Sequence, residues 1–208
     1  MTATTPDVLA CYMHCLGYNR VFVFILTMPM QDQLITLLNA HQASNATEAA
    51  HLRQALEFIS STANCCSRST QAGHVTASAW ILSPDRQAAL LTHHKKLNRW
   101  LQLGGHTEDG DTNIQDAAAR EAREESGIAD LQLISSALFD VDVHPIPARA
   151  NEAAHYHYDL RFLFQARHIH FEVSDESHDL AWVPLAKLVQ EDDNASVSRM
   201  AGKCLGNI

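Results

Sequence analysis

The sequence of 208 residues has no apolar run long enough to cross a membrane. Its most apolar stretch, residues 21–28, is much shorter than the roughly 20 residues that a transmembrane helix needs. Basic residues are also scarce, with 15 Lys and Arg against 24 Asp and Glu, which gives a net charge of −9. Surfaces that bind nucleic acids depend on basic clusters. We therefore predict neither a membrane nor a nucleic-acid partner.

Regular cysteine spacing is absent as well. The five cysteines are odd in number and include no C-x-x-C pair, so the sequence indicates neither a zinc site nor a disulfide framework. This usage is typical of the reducing cytoplasm, where we expect the protein to be located. Histidine, in contrast, is abundant at 13 residues.

The chain does contain ample apolar material. Hydrophobic residues make up 46% of it, which is enough for a packed core, and the length favours one domain with an appendage. Residues 1–29 are interpreted as an N-terminal extension whose conformation the sequence does not indicate, with Met30 as the natural start. Residues 30–66 are interpreted as a helical segment and residues 70–208 as the main domain. We expect the helical segment to pack on the main domain; pairing of two subunits and a role in specificity are the alternatives.

Hydrophobic periodicity predicts both strands and helices. Strands are expected at residues 73–82, 87–92, 99–103, 131–143, 155–166, 168–173 and 180–183. A first helix is expected at 31–42, and a second runs to Ser60 from a cap at Asn45 or Thr47. A third is expected directly after Pro184, and a fourth near 195–204.

The most informative stretch is residues 104–128, which read GGHTEDGDTNIQDAAAREAREESGI. Two glycines and an acidic turn precede a predicted helix, which Thr112 is expected to cap and Gln115 to support through a capping box. A narrow stripe of Ile and Ala residues allows this helix to lie close on a sheet. Gly127 stands where a left-handed residue is expected to end the helix.

The polar face of this helix carries Glu121, Glu124 and Glu125 on its last two turns. Like charges at this spacing repel one another, and carboxylates near a helix C-terminus oppose the helix dipole. A bound cation that prefers oxygen ligands, such as Mg²⁺, offsets this repulsion. Arg120 can pair with Glu124 four residues on. The alternative is a solvated charged face, but the neighbouring glycines and helix-end signals favour a metal site.

Together these residues resemble the signature of the Nudix hydrolase family: Gly, five residues, Glu, seven residues, then Arg-Glu-x-x-Glu-Glu-x-Gly and an apolar residue. The matching residues are Gly105, Arg120, Glu121, Glu124, Glu125, Gly127 and Ile128. Two features depart from the signature. Asp111 stands at the position of the first Glu, which looks structural in the family, and one extra residue lies between Gly105 and Arg120. The resemblance extends from residue 73 to about residue 189.

The resemblance implies an α/β protein: a Nudix-type α/β/α sandwich with a mixed sheet, preceded by a short N-terminal helical segment. It also implies hydrolysis of a diphosphate bond in a nucleoside diphosphate linked to another group, with Mg²⁺ or Mn²⁺ as cofactor. The implied metal ligands are Gly104, through its carbonyl, and Glu121, Glu124 and Glu125. The implied catalytic residues are Arg120, Glu121, Glu124 and Glu176. Arg120 would orient the acids, and the general base is either Glu121 or Glu176, the latter in the loop before the last strand.

Histidines supply the candidates for substrate binding. His155, His157 and Asp159 alternate along one predicted strand, so they share a face that can bind metal or phosphate. Aromatic residues occupy the opposite face, and we therefore expect the histidine face to lie outside the core; a solvated strand face is the alternative. His106, directly after the glycines, is a further pocket candidate. A similar set is formed by Asp140, Asp142 and His144.

Two other functions stay open. One is a non-catalytic nucleotide-binding regulator with the same fold, which the three retained glutamates argue against. The other is an enzyme resembling isopentenyl diphosphate isomerase, which uses histidine ligands and a cysteine. The chain has no cysteine between Cys66 and Cys204, which argues against that mechanism. The expected partner is a small nucleotide or diphosphate substrate, and a homodimer is compatible with the N-terminal helices.

Overall fold

The structure is a computed structural model that describes residues 28–95, 97–149, 153–175, 177–190 and 194–207. The predicted N-terminal extension lies outside the described residues, except for its last two positions. Glu176 also lies outside the described residues. Among the described residues, no helix is both long and apolar enough to span a membrane.

One mixed sheet of eight strands forms the centre of the molecule. The strands are β1 (Gly73–Leu82), β2 (Ala88–His94), β3 (Arg99–Leu101), β4 (Leu103–His106), β5 (Leu131–Leu133), β6 (Asp140–Ile146), β7 (His155–Ala166) and β8 (Ser177–Pro184). β1 and β7 pair in parallel along ten residues in the middle of the sheet. The other pairs are antiparallel, with β4 beside β1 and β6 beside β7.

Helices cover both faces of this sheet. They are α1 (Met30–Ala40), α2 (Ala46–Ser61), α3 (Ile114–Ser126), α4 (Leu185–Leu188) and α5 (Ala195–Asn207). α1, α2 and α3 share one apolar core with the residues of β1 and β7 that point towards them, such as Val75 and Phe162. On the other face, α5 packs Met200 and Cys204 against Trp80 at the far end of β1. The sandwich predicted from the family resemblance is confirmed, and the N-terminal helices pack on the main domain.

The strand predictions differ from the structure at four points, the first of which is that residues 99–103 belong to two strands, β3 and β4. The predicted strand at 131–143 is divided into β5 and β6, because the Ser-rich turn between them makes local bonds such as Ala137 N to Ser135 Oγ at 3.1 Å. The segment at 168–173 is not a strand, since the Glu172 amide donates to the carbonyl of Ser126 at the end of α3. β6 continues through Pro145, which its position at the margin of the sheet tolerates.

Candidate active site

α3 places the predicted metal ligands, and both of its ends are fixed by side-chain chemistry. Its cap is Asn113, whose Oδ1 accepts from the Asp116 amide at 2.9 Å, so the predicted capping box of Thr112 and Gln115 is wrong. Thr112 instead donates to the Asp116 carboxylate, and the side chain of Gln115 donates to a loop carbonyl. At the other end Gly127 adopts φ 67°, as predicted.

The buried stripe of α3 brings the helix close to β1 and β4. Ile114, Ala117, Ala118 and Ala122 are all fully buried. Because three of these four side chains are methyl groups, the helix axis can approach the sheet closely. This approach sets the distance between the acids of α3 and the glycines of β4.

Arg120 ties the acidic loop to α3. Its guanidinium donates to both carboxylate oxygens of Asp111, at 3.2 and 3.1 Å, and to the His106 carbonyl at 2.8 Å. It also contacts Glu121 at 3.0 Å and, as predicted, Glu124 at 3.1 Å. The Asp111 hydrogen bond is the main reason that the pKa of Arg120 is raised. Asp111 thus holds the loop, and the extra residue before Arg120 does not disturb this contact.

The three glutamates of α3 differ in exposure. Glu125 is buried, and its Oε2 accepts weakly from the Gly104 amide at 3.4 Å. The side chain of Glu121 is 15% exposed and that of Glu124 is 59% exposed. A Cβ on Gly105 would lie 2.6 Å from the Glu121 carboxylate, so the glycine is what allows this acid to lie against β4.

A single cavity of about 610 Å³ joins the two predicted parts of the site. It is lined by the predicted metal-site residues Gly104, Glu121, Glu124 and Glu125 and by the predicted substrate residues His106, His157 and Asp159. Arg68, Gln102, His144 and Arg149 line it as well. The structure therefore brings together seven residues that the sequence singled out from three separate elements.

The predicted histidine face is the wall of this cavity, and it continues into a buried ionic network. Asp159 is buried and accepts from Thr76, Ser78 and Gln102, at 3.1, 2.7 and 3.0 Å. It also accepts from Arg161, which is 2% exposed, at 2.7 Å. The expectation that this face lies outside the core is therefore wrong for Asp159 and Arg161, because each buried charge has an opposite partner, and it is also wrong for His155, which is buried.

Farther along the same face, Asp140 and Asp142 are structural. The Asp140 carboxylate contacts Arg161 at 3.2 Å, Arg199 at 2.7 Å and Lys203 at 2.6 Å. Burial would raise the pKa of Asp142, but the neighbouring positive charges, above all that of Arg161, hold it well below its usual range. His144, the third member of this set, instead lines the cavity, with its ring centroid 5.6 Å from that of His157.

The sequence did not indicate where the side chain of His74 lies. The sheet register places it beside the histidines of β7. His74 pairs with His157 across β1 and β7, and its ring lies 4.8 Å from that of His157 and 4.9 Å from that of His155. Burial, then the neighbouring histidines with His106 foremost, lower the pKa of His157 to about 2. The imidazole of His157 is therefore neutral at physiological pH.

Arg68 is a pocket residue that the sequence did not indicate, since it lies in a Ser/Thr-rich stretch between the helical segment and the main domain. Its Nη2 donates to His106 Nδ1 at 2.6 Å. Residue 68 lies in the loop that precedes β1, and no local sequence pattern signals that this loop reaches residue 106.

These features define an α/β protein with a glycine-lined, carboxylate-rich pocket at the edge of a helix and a mixed sheet. Residues 72–201, more than half of the chain, match the family model described as the NUDIX domain. The chain belongs to the Nudix family. The match confirms the family resemblance, the fold class and the enzyme class predicted from the sequence.

Several solved structures are similar to this chain. An Ap4A hydrolase from C. elegans in a binary complex is 18% identical, covers 62% of this chain and 93% of its own, and has a TM-score of 0.49. A NUDIX family hydrolase from Clostridium perfringens is 23% identical, with coverages of 64% and 95% and a TM-score of 0.46. The MutT protein from Methanosarcina mazei Go1 is 17% identical, with coverages of 65% and 94% and a TM-score of 0.45. No curated protein matches the sequence significantly.

Proposed function

We propose that the protein is a Mg²⁺- or Mn²⁺-dependent hydrolase that cleaves a diphosphate bond in a nucleoside diphosphate linked to another group. One observation carries the proposal: the glutamates of α3 and the histidines of β4 and β7 line the same cavity in a Nudix domain. Hydrolysis of such a bond needs cations at the phosphates and, beside them, side chains that hold the rest of the substrate.

The carboxylate cluster fits a hard divalent cation. Glu121, Glu124 and Glu125 concentrate oxygen donors where Gly105 leaves room for a carboxylate, and Mg²⁺ prefers such ligands. We propose these three acids and the Gly104 carbonyl as ligands. When bound, the cation would neutralise phosphate charge and make water more acidic.

Other side chains hold the metal-binding acids in position and activate the attacking water. Arg120 connects Asp111 to the acids of α3 and so fixes their positions. The general base is a carboxylate within reach of the attacking water, either Glu121 or Glu176. Because Glu121 is also a proposed metal ligand, Glu176→Gln separates them: the variant loses kcat with its metal affinity retained if Glu176 is the base, and it keeps kcat if Glu121 is the base.

The wall opposite the acids faces the substrate. His106 and His157 line the cavity directly, and His155 lies against His157 with its ring centroid 5.1 Å away. Asp159 has its oxygens occupied by four donors, so we propose that it positions Gln102 and Arg161 beneath the bound substrate.

A screen of nucleotide sugars, dinucleotides, coenzymes and nucleoside triphosphates with Mg²⁺ tests the proposal and names the substrate. We expect metal-dependent release of a nucleoside monophosphate or of phosphate products from at least one class. Tight nucleotide binding without hydrolysis would favour the regulator instead. Turnover of a homoallylic diphosphate to its allylic isomer would favour the isomerase.

Location and assembly are part of the same proposal. The described cysteines Cys65, Cys66 and Cys204 are free thiols, which supports a reducing compartment, and we propose the cytoplasm. A homodimer stays a prediction that sedimentation of the full chain would check.

A further inference from the structure

Three histidines gather at one end of the pocket, and the hydrolase proposal gives a role to His106 and His157, which line it, but none to His74. The ring centroids of His74, His106 and His157 are 4.8 to 5.1 Å apart. Each ring offers a nitrogen, and these nitrogens lie within 4.8 Å of one another. The three residues come from three adjacent strands, β4, β1 and β7, so their positions are fixed by sheet pairing.

Imidazole and carboxylate select different metals. Late first-row cations such as Zn²⁺ favour imidazole nitrogens, whereas Mg²⁺ favours oxygens. A tetrahedral Zn²⁺ with Zn–N bonds of about 2.0–2.1 Å needs its ligand nitrogens roughly 3.4 Å apart. The observed separations shrink to that value if each ring moves inward by about 1 Å, which side-chain rotation supplies.

We propose that His74, His106 and His157 form a second metal site, selective for Zn²⁺ or a similar transition-metal cation, beside the carboxylate site of α3. The inference deepens the proposed function and rests on it in one respect: the histidines predicted to contact the substrate would do so through this metal. The cysteine pattern gave no indication of zinc, because these ligands are all imidazoles.

The hydrogen bond between Arg68 and His106 gives the site a built-in competitor. Arginine can only donate, so His106 Nδ1 must be the acceptor of the 2.6 Å bond and the ring proton lies on Nε2. A neutral imidazole has a single lone pair. A metal bound at either nitrogen takes that lone pair, so metal binding and the Arg68 hydrogen bond exclude each other. Metal binding would therefore release Arg68 into the pocket that it lines.

His155 supports the arrangement from behind. Its Nδ1 donates to the Ala153 carbonyl at 2.9 Å, which fixes the ring beside His74. Hydrogen bonds of this kind orient histidines around metal sites. His155, like His74, is not among the residues that line the cavity, and we assign it a positioning role.

Equilibrium dialysis of the full chain against Zn²⁺ tests the site, with bound metal measured by elemental analysis. We expect one Zn²⁺ per chain at this site, and at least about tenfold weaker binding in His106→Gln and His157→Gln. His168→Gln/His170→Gln is the matched control, because these two exposed rings lie 6.0 Å apart and would report adventitious binding. Co²⁺ substitution should give the intense visible absorption of a four-coordinate site, which the triad variants lose.

Two further variants separate this inference from the proposed function. Glu125→Gln should keep Zn²⁺ binding while losing hydrolysis. Arg68→Met should bind Zn²⁺ about tenfold more tightly, since it removes the competing donor. His106 is partly exposed, so His106→Gln keeps the test valid even if a variant of buried His74 fails to fold. The inference is overturned if the triad variants bind Zn²⁺ like wild type, or if Glu125→Gln alone abolishes binding.

Discussion

Two clusters of charged side chains differ in how their charge is balanced. In the buried network, carboxylates and basic side chains are nearly equal in number: Glu48, Asp140, Asp142 and Asp159 face Arg161, Arg199 and Lys203. In the cluster at α3, a single basic side chain, that of Arg120, contacts four acids: Glu108, Asp111, Glu121 and Glu124. The first cluster is complete without a ligand, whereas the second has an excess of negative charge that a cation can neutralise.

One buried acid from each cluster shows how structural and functional acids differ. Asp140 and Glu125 are both buried acids. Asp140 contacts three basic side chains, whereas Glu125 lines the cavity together with the acids Glu121 and Glu124. Burial alone does not distinguish their roles; the sign and number of neighbouring charges do.

The largest effect should follow from removing a charge in the unbalanced cluster. Glu125→Gln is expected to lower metal-dependent kcat by about 10³-fold, because a cation loses an anionic ligand. The free energy of unfolding should hold or rise slightly, since the like charge of Glu121, four residues earlier on α3, repels Glu125. Steady-state kinetics measure the loss of kcat, and urea unfolding measures the free energy of unfolding. Glu57→Gln, an exposed acid on α2, is the control, and equal loss in both variants would contradict the metal site.

The balanced network should respond in the opposite way. Arg161→Met removes the cation between Asp159, Asp140 and Asp142, and it should lower the free energy of unfolding by about 3 kcal/mol or more, because buried carboxylates lose their partner. Chemical denaturation measures this, with exposed Arg53→Met as the matched control. A variant as stable as wild type would show that the network is not what holds this face together.

Acid should weaken the network through Glu48. Burial opposes ionisation, but His41 and Lys203 lower the pKa of Glu48 below its usual 4.5. A lowered folded-state pKa means that the stabilisation is complete above about pH 4.5 and is lost as pH falls below that value. Glu48→Gln should therefore cost about 2 kcal/mol at pH 7 and less at pH 3. A difference that stays constant between these pH values would rule out this linkage.

The smallest expected effect concerns the space beside β4. In Gly105→Ala the new methyl group would meet the Glu121 carboxylate and displace it. We expect about a tenfold loss in kcat/KM and weaker Mg²⁺ binding, because misplacing a ligand by about 1 Å is costly. Gly110→Ala serves as control, since nothing lies within 4 Å of a Cβ there. Unchanged Mg²⁺ affinity in Gly105→Ala would mean that Glu121 does not depend on this space.

Much of the architecture could be predicted because its signals are local. The ends of β1 and β7 match the predicted bounds, and the left-handed Gly127 follows from its place after an amphipathic helix. The cap was misplaced by one residue, since Thr112 and Asn113 are both good caps and the choice depends on what Asp116 contacts. Predicted residues of the carboxylate cluster lie together because they share one short stretch.

The rest of the pocket could not be predicted, for a physical reason. Arg68 and Gln102 line it, and His74 lies beside His157 behind it, through loop packing and strand register that bring together residues far apart in sequence. The buried charge of Asp140 likewise depends on α5, which supplies its partners Arg199 and Lys203 from the end of the chain. Alternation along β7 showed which side chains share a face, but not what covers it.

The parallel pairing of β1 and β7 has a consequence for biosynthesis. Thr76 and Asp159 meet across 83 positions of the chain, and β7 is the last strand but one to leave the ribosome. Until it emerges, the glutamate helix can form, yet the wall opposite it does not exist. A nascent or truncated chain that ends before residue 155 would therefore lack the complete pocket. The protein would become able to bind and cleave its substrate only late in synthesis, in one step.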